Sequence, residues 1–176
     1  MVAVSIGVPG ITVRFDEISL PARRKKKADP AGPFLIIARE CGLALDTGRR
    51  SQAGAQPLLW PPHADRHQLW QLQPSGVAGE VLIVSAANGL ALDSTDRLQE
   101  PDLVMWTPNR ETWQRWRLEK APDGVAFSIQ SVYNRRCLTA GEELKPEGCP
   151  RFDEPAPRWS QQWIFALPHG GDPAER

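Results

Sequence analysis

Residues 80–118, EVLIVSAANGLALDSTDRLQEPDLVMWTPNRETWQRWRL, decide the fold because their landmarks recur elsewhere in the chain. The pentapeptide Gly-Leu-Ala-Leu-Asp at 89–93 already stands at 42–46. Trp106, Gln114 and Trp116 each have a counterpart 46 residues earlier, at Trp60, Gln68 and Trp70. A weaker third copy follows, with Gln161 and Trp163 placed 47 residues after Gln114 and Trp116. Self-similarity at a fixed period is the signature of a repeat architecture, so the other copies are read against the middle one.

Working outward, the first copy begins with the apolar run Phe34-Leu35-Ile36-Ile37-Ala38 and continues through Leu43–Asp46, Pro57–Trp60 and Leu69–Gln73. The second repeats this as Val81–Ser85, Leu90–Asp93, Leu103–Thr107 and Arg115–Glu119. The third gives Val125–Ser131, Arg136–Thr139, Cys149–Phe152 and Gln162–Leu167. These are four short apolar segments per copy, separated by Gly, Pro, Asp and Asn, with no sustained helical period between 34 and 167. Such a chain reads as all-β. Each copy alone would leave an apolar face uncovered, whereas three can close about a pseudo-threefold axis and remove most sheet edges. The expectation is a β-trefoil over 34–167, with repeats at about 34–79, 80–124 and 125–167 and a polar tail over 168–176.

Residues 1–33 stand apart. Val2–Ile6 and Ile11–Phe15 have the alternation of short strands around a Pro9-Gly10 turn. A basic run, Arg23–Lys27, leads into Ala28-Asp29-Pro30-Ala31-Gly32-Pro33, which has the composition of a linker. The run is expected to be a solvated tail, or else a targeting signal or an anchor to an anionic partner, and residues 1–33 are a candidate docking segment for a protein partner.

Bulk properties narrow the function. The 176 residues carry no net charge, so no global field draws the chain to nucleic acid. No stretch reaches the ~18–20 apolar residues of a membrane-crossing helix, and no membrane insertion is expected. The N-terminal segment lacks a basic start and is broken by Pro9 and Gly10, so it does not read as a signal peptide. A cytoplasmic protein is expected, or one exported by a route the sequence does not show. Cys41, Cys137 and Cys149 are odd in number with no Cys-x-x-Cys pair; Cys137 and Cys149 could bridge in an oxidising compartment, or all three could remain thiols.

Three Gln-x-Trp triplets close the copies: Gln68-Leu69-Trp70, Gln114-Arg115-Trp116 and Gln161-Gln162-Trp163. Together with the two Leu-Ala-Leu-Asp segments and Trp60 and Trp106, they resemble the repeat of the ricin-type β-trefoil lectin family. The resemblance covers about three quarters of the chain. It implies that Trp70, Trp116 and Trp163 are first of all core residues, each burying about 150–250 Å². It also implies a sugar site in each copy that keeps a carboxylate for two adjacent hydroxyls, an aromatic for the C–H face, and a glutamine.

Copy one has Asp46, Trp60 and Gln68, with His67 where sugar-binding copies of the family often have Asn. Copy two has Asp93, Trp106 and Gln114, with Trp113 at that position. Copy three has Thr139 in place of the aspartate and Phe152 near the aromatic position, one residue further from its glutamine, and is expected to be silent. The alternative for Asp46 and Asp93 is a turn-capping role only. His63 and His67 are four apart, but in a loop of an all-β chain this spacing does not place two ligands on one face, so no metal is expected. No phosphate loop, Ser-His-Asp grouping or placed carboxylate pair is visible, so neither catalytic residues nor cofactors are expected. The reading is a non-catalytic carbohydrate-binding module, against a structural or protein-interaction trefoil that has lost its sugar sites.

Overall fold

A computed structural model describes residues 3–5, 11–14, 31–50, 52–95, 103–141 and 145–168. The basic run Arg23–Lys27, most of the expected linker and the tail beyond Pro168 lie outside the described residues. Two short strands, β1 (Ala3–Ser5) and β2 (Ile11–Arg14), precede three sets of four. The first set is β3 (Ala31–Ala38), β4 (Ala44–Asp46), β5 (Leu58–Trp60) and β6 (Leu69–Pro74). The second is β7 (Val81–Ser85), β8 (Ala91–Asp93), β9 (Val104–Trp106) and β10 (Trp116–Lys120). The third is β11 (Phe127–Ser131), β12 (Cys137–Thr139), β13 (Arg151–Asp153) and β14 (Trp163–Pro168).

The first and last strand of each set build a barrel. Antiparallel pairing runs β3–β6–β7–β10–β11–β14, and β14 returns to β3 over Ile164↔Ile37 and Phe165↔Ile36, closing the ring. The two middle strands of each set form a hairpin, attached to the ring through Ile37↔Ala44, Val84↔Ala91 and Gln130↔Cys137. This is the all-β trefoil the repeat predicts. Closure leaves the six barrel strands without a free edge, which is why strands of five to eight residues suffice.

The apolar runs are long because the barrel wall is covered on both sides. In β3, Phe34, Ile36 and Ala38 point into the central core, while Leu35 and Ile37 join a second cluster with Ala44, Ile164 and Ala166. The centre is set by Trp70, Trp116 and Trp163, all fully buried. Each indole N–H donates to a main-chain carbonyl of its own hairpin, that of Leu45 at 2.9 Å, Leu92 at 3.3 Å and Leu138 at 2.9 Å. A buried indole without such an acceptor would carry an unpaired polar group.

β3 begins at Ala31, inside the segment whose composition reads as linker. Ala31 pairs with Leu72, and a register shift before Phe34 accommodates Gly32 and Pro33. Pairing with β6 outweighs the breaker residues there. At the N-terminus, β1 pairs with β2, and β2 continues the sheet from the end of β14 through Thr12↔Leu167 and Ile11↔Pro168.

Candidate functional site

Every glutamine of the triplets ends a single 3-10 turn: Arg66–Gln68, Thr112–Gln114 and Trp159–Gln161. The turn folds its side chain back under the loop, and all three amides are buried. In repeat one, Gln68 Nε2 donates to Asp46 Oδ2 at 2.9 Å and to the Pro61 carbonyl at 3.0 Å, while Oε1 accepts the His63 N–H at 2.8 Å. In repeat two, Gln114 Nε2 donates to Asp93 Oδ2 at 2.9 Å and to the Thr107 carbonyl at 3.0 Å, and Oε1 accepts the Asn109 N–H at 2.7 Å. In repeat three, Gln161 Nε2 donates to Thr139 Oγ1 at 3.3 Å and to the Glu154 carbonyl at 2.9 Å, and Oε1 accepts the Ala156 N–H at 2.8 Å. Neither Gln68 nor Gln114 reaches the surface. Each satisfies loop backbone and orients a carboxylate, so its bearing on a ligand is indirect.

The carboxylates are held from the other side by their own turns. Asp46 Oδ1 accepts the Gly48 N–H at 2.6 Å, and Asp93 Oδ1 accepts the Thr95 N–H at 2.7 Å. The residue before each glutamine is pinned beside the end of the hairpin strand. Its carbonyl accepts the N–H of Thr47 from His67 (3.0 Å), of Ser94 from Trp113 (2.7 Å), and of Ala140 from Ser160 (2.8 Å). Ala64 and Arg110, one residue after His63 and Asn109, adopt φ of 60° and 63°. Left-handed non-glycine residues at equivalent places mark a loop shape enforced by the glutamine beneath it.

In repeat one, Asp46 and Trp60 share an open cleft of about 360 Å³, lined also by His63, His67, Arg49 and Glu147. Trp60 is 36% exposed and Asp46 2% exposed. Glu147 belongs to the third repeat. Its backbone and that of Gly148 bond to the Leu59 edge of β5, at 2.9 and 2.8 Å, which brings the loop against the cleft. His63 and His67 cover the carboxylate, with Nε2 atoms 3.6 and 3.9 Å from Asp46 Oδ2.

Repeat two has the same frame with different walls. Loop residues Gly54 and Ala55 of repeat one bond to Met105 at 2.8 Å on each side, and a Cβ placed on Gly54 would lie 3.3 Å from Trp106 Cζ3. Trp106 therefore has a neighbouring loop against one part of its ring and is half-buried. Trp113 packs edge-on against Tyr133 of repeat three, with ring centroids 6.2 Å apart. Asp93 is 4% exposed.

Repeat three corrects the placement of Phe152. Cys137 pairs with Asp153 as Ala44 pairs with Trp60 and Ala91 with Trp106, so Asp153 holds the aromatic position. Phe152 corresponds to Leu59 and Met105 and is core, stacked on Trp116 at 5.8 Å. The apparent extra residue before Gln161 vanishes when the strands are aligned by pairing. Asp153 is ion-paired to Arg151 at 3.4 Å, and the third repeat has Thr139 where the others have the aspartate and Asp153 where they have the tryptophan. Cys41, Cys137 and Cys149 are all free thiols, so the bridge left open by the sequence is not formed. Burial, followed by the charges of Glu119 and Glu154, pushes the Cys137 thiol up to about 11.

Counting back five residues from each glutamine finds His63, Asn109 and Ala156, whose N–H groups meet the three amides. That count is the signal by which His63 could have been found as a site residue. Arg49, Leu58 and Glu147 complete the cleft with no comparable signal.

Residues 66–147 match the family model described as "Ricin-type beta-trefoil lectin domain-like". The fold is a β-trefoil, and residues 66–147 are similar to that lectin-like family. Solved structures share the β-trefoil fold. The designed threefold-symmetric protein ThreeFoil is 20% identical, with a TM-score of 0.70 over 77% of this chain and 98% of its own. The ricin B-like lectin of Macrolepiota procera, solved with lactose, is 16% identical, with a TM-score of 0.66 over 81% of this chain and 100% of its own. The C-half of an earthworm R-type lectin, solved with GalNAc, is 18% identical, with a TM-score of 0.58 over 75% and 95%. No curated protein matches the sequence. The ricin-type family match supports a carbohydrate-binding module as the broad class of this domain.

Proposed function

We propose that this domain is a non-catalytic carbohydrate-binding module whose working site is the repeat-one cleft. The observation that carries it is the opening of Asp46 and Trp60 onto one cleft. Asp46, fixed by Gly48 and Gln68, presents Oδ2 as an acceptor for a sugar hydroxyl. Trp60 offers a flat exposed face for sugar C–H groups. His67 and His63 border the same hydroxyls, and Gln68 keeps the carboxylate in place. Repeat two, with Asp93, Trp106, Trp113 and Gln114, is a second, more enclosed site. Single shallow sites of this kind bind with Kd near about 1 mM, or about −4 kcal/mol, and avidity comes from engaging two.

Calorimetric titration with galactosides, mannosides and xylans, after a glycan array, tests the assignment. Trp60→Ala and Asp46→Asn should each abolish measurable binding in repeat one. Unchanged affinity in the double variant Asp46→Asn/Asp93→Asn would overturn the site.

One observation favours a second reading. With 2% and 4% exposure, Asp46 and Asp93 serve their turns and glutamines first. A trefoil kept for its fold would then work through its N-terminal extension, where β1 ends the strand order. Co-purification of partners with the full chain but not with a form lacking residues 1–30 would support this; identical partners would remove it. The truncation should spare Ala31, which pairs with Leu72.

A further inference from the structure

The geometry points to a divalent transition-metal site at Asp46, His63 and His67, in the class of Zn²⁺, Co²⁺ or Ni²⁺. The three side chains offer one carboxylate oxygen and two imidazole nitrogens, and these atoms all lie within 4.8 Å of one another. Asp46 Oδ2 is 3.6 Å from His63 Nε2 and 3.9 Å from His67 Nε2. A tetrahedral ion with bonds of about 2.0–2.1 Å separates its donors by about 3.3 Å, so closing these two sides needs only a few tenths of an ångström. Two imidazoles and one carboxylate suit zinc and its neighbours in the series better than calcium or magnesium, which prefer all-oxygen cages. This goes beyond sugar recognition and stands without it.

The site is built as well as gathered. Asp46 is held by Gly48 on Oδ1 and by Gln68 on Oδ2, so the anchoring carboxylate is fixed before any ion arrives. His67 is held through its carbonyl by Thr47. His63 Nδ1 lies 3.5 Å from Asp65 Oδ2, an outer carboxylate that can accept a hydrogen bond from Nδ1–H once Nε2 turns its lone pair to the ion. The Asp65 N–H now directed at Nδ1, 3.2 Å away, yields to that contact. A fourth position faces the cleft between Trp60, Arg49 and Glu147, leaving room for water or a ligand oxygen.

The other repeats supply an internal control. The positions of His63 and His67 are Asn109 and Trp113 in repeat two, and Ala156 and Ser160 in repeat three. His63 Nδ1 does for its turn what Asn109 Oδ1 does for the Glu111 N–H, so the turn itself asks for no histidine. Spacing alone misses the site because four residues apart implies one helical face, whereas here a loop doubles back and the third donor comes from β4.

The test uses the full chain, stripped with a chelator, titrated with ZnCl₂ by calorimetry and with CoCl₂ by visible absorption. One ion per chain is expected, with a Co²⁺ spectrum of tetrahedral type. His63→Asn, which keeps the turn acceptor that Asn109 provides, and His67→Ser should each weaken binding by about 10–100-fold or more. Cys149→Ser, which removes an exposed thiol, should leave it unchanged. On the unmutated chain, Zn²⁺ should shift the imidazole NMR signals of His63 and His67 and not those of His169, the third and last histidine in the sequence. Affinity weaker than about 1 mM, or binding indifferent to both histidine variants, would overturn the assignment. So would zinc that leaves the His63 and His67 signals in place.

Discussion

Replacing each triplet glutamine by alanine should separate the three repeats by the acceptor each glutamine faces. All three amides are buried, and each makes the same pair of backbone contacts, one Nε2–H to a carbonyl and one accepted N–H, at 2.7–3.0 Å, to which Gln68 adds a longer one from the Ala64 N–H at 3.3 Å. Losing that pair, with the loop groups left partly unpaired, costs about 2–3 kcal/mol at every site. The third contact differs. Gln68 and Gln114 donate to carboxylates at 2.9 Å, and Gln161 to a hydroxyl at 3.3 Å. Hydrogen bonds to charged groups contribute about 1.5–3 kcal/mol, against about 0.5–1.5 for neutral ones. Gln68→Ala and Gln114→Ala should therefore destabilise by about 1 kcal/mol more than Gln161→Ala, or about 2–4 °C in melting temperature for a chain of this size. Urea unfolding followed by tryptophan fluorescence reads all three on one scale. Equal losses at the three sites would refute the reasoning, since the amide would then matter only to its loop. A larger loss at Gln161 would refute it outright.

The remaining predictions rest on single contacts. Gly141→Ala should cost well over the ~1–2 kcal/mol of its left-handed backbone (φ 86°), because the new Cβ would sit 2.6 Å from the Cys149 carbonyl oxygen. Gly42→Ala, at φ 72° with open space around it, should cost the backbone share alone, and equal melting shifts for the two would contradict this. In native protein at pH 8, iodoacetamide with mass mapping should label exposed Cys149 far faster than Cys137, whose raised pKa leaves it almost wholly protonated; equal rates would count against the buried placement. The double variant Asn109→His/Trp113→His should raise the zinc stoichiometry from one to two ions per chain, since Asp93 is presented by the same glutamine frame as Asp46. A stoichiometry still at one would show that the neighbouring loop over Trp106 matters to the site as much as the frame does.

The frame was legible because it is written as repetition. A tryptophan that must find a carbonyl in its own hairpin, and a glutamine that must brace its own loop, keep fixed spacings, so Gln68, Gln114 and Gln161 with their tryptophans show through divergent surroundings. What the sequence concealed depends on contacts between repeats or on strand register. Residue type matches Phe152 to Trp60, whereas pairing makes it the equivalent of Leu59, and only the hairpin partners Cys137 and Leu138 reveal that. Gly54 lies against Trp106 and Glu147 enters the cleft of repeat one because a loop from one repeat pairs with a hairpin of the next. No spacing within a repeat records such a neighbour. Ala31–Pro33 read as linker from composition, yet their strand is set by the register of β6.

The pseudo-threefold symmetry also explains how one repeat can acquire a distinct chemistry without unsettling the fold. Side chains that hold the structure point inward: Trp70, Trp116 and Trp163 take hairpin carbonyls, and the three glutamines take loop backbone. Site positions project from the same loops but contribute to folding mainly through their main-chain atoms. His67, Trp113 and Ser160 each give a carbonyl to the hairpin, and His63, Asn109 and Ala156 each give an N–H to glutamine. Backbone duties of this kind are indifferent to side-chain identity, so these positions are free to differ while the barrel stays the same. Repeat three has used that freedom to place Ala156 and Ser160 there, and repeat two to set an indole against Tyr133. Repeat one has placed two imidazoles over a carboxylate that the frame was already holding. The motif that carries the family resemblance is thus the part least informative about how the copies differ, and the residues flanking the glutamine carry that information.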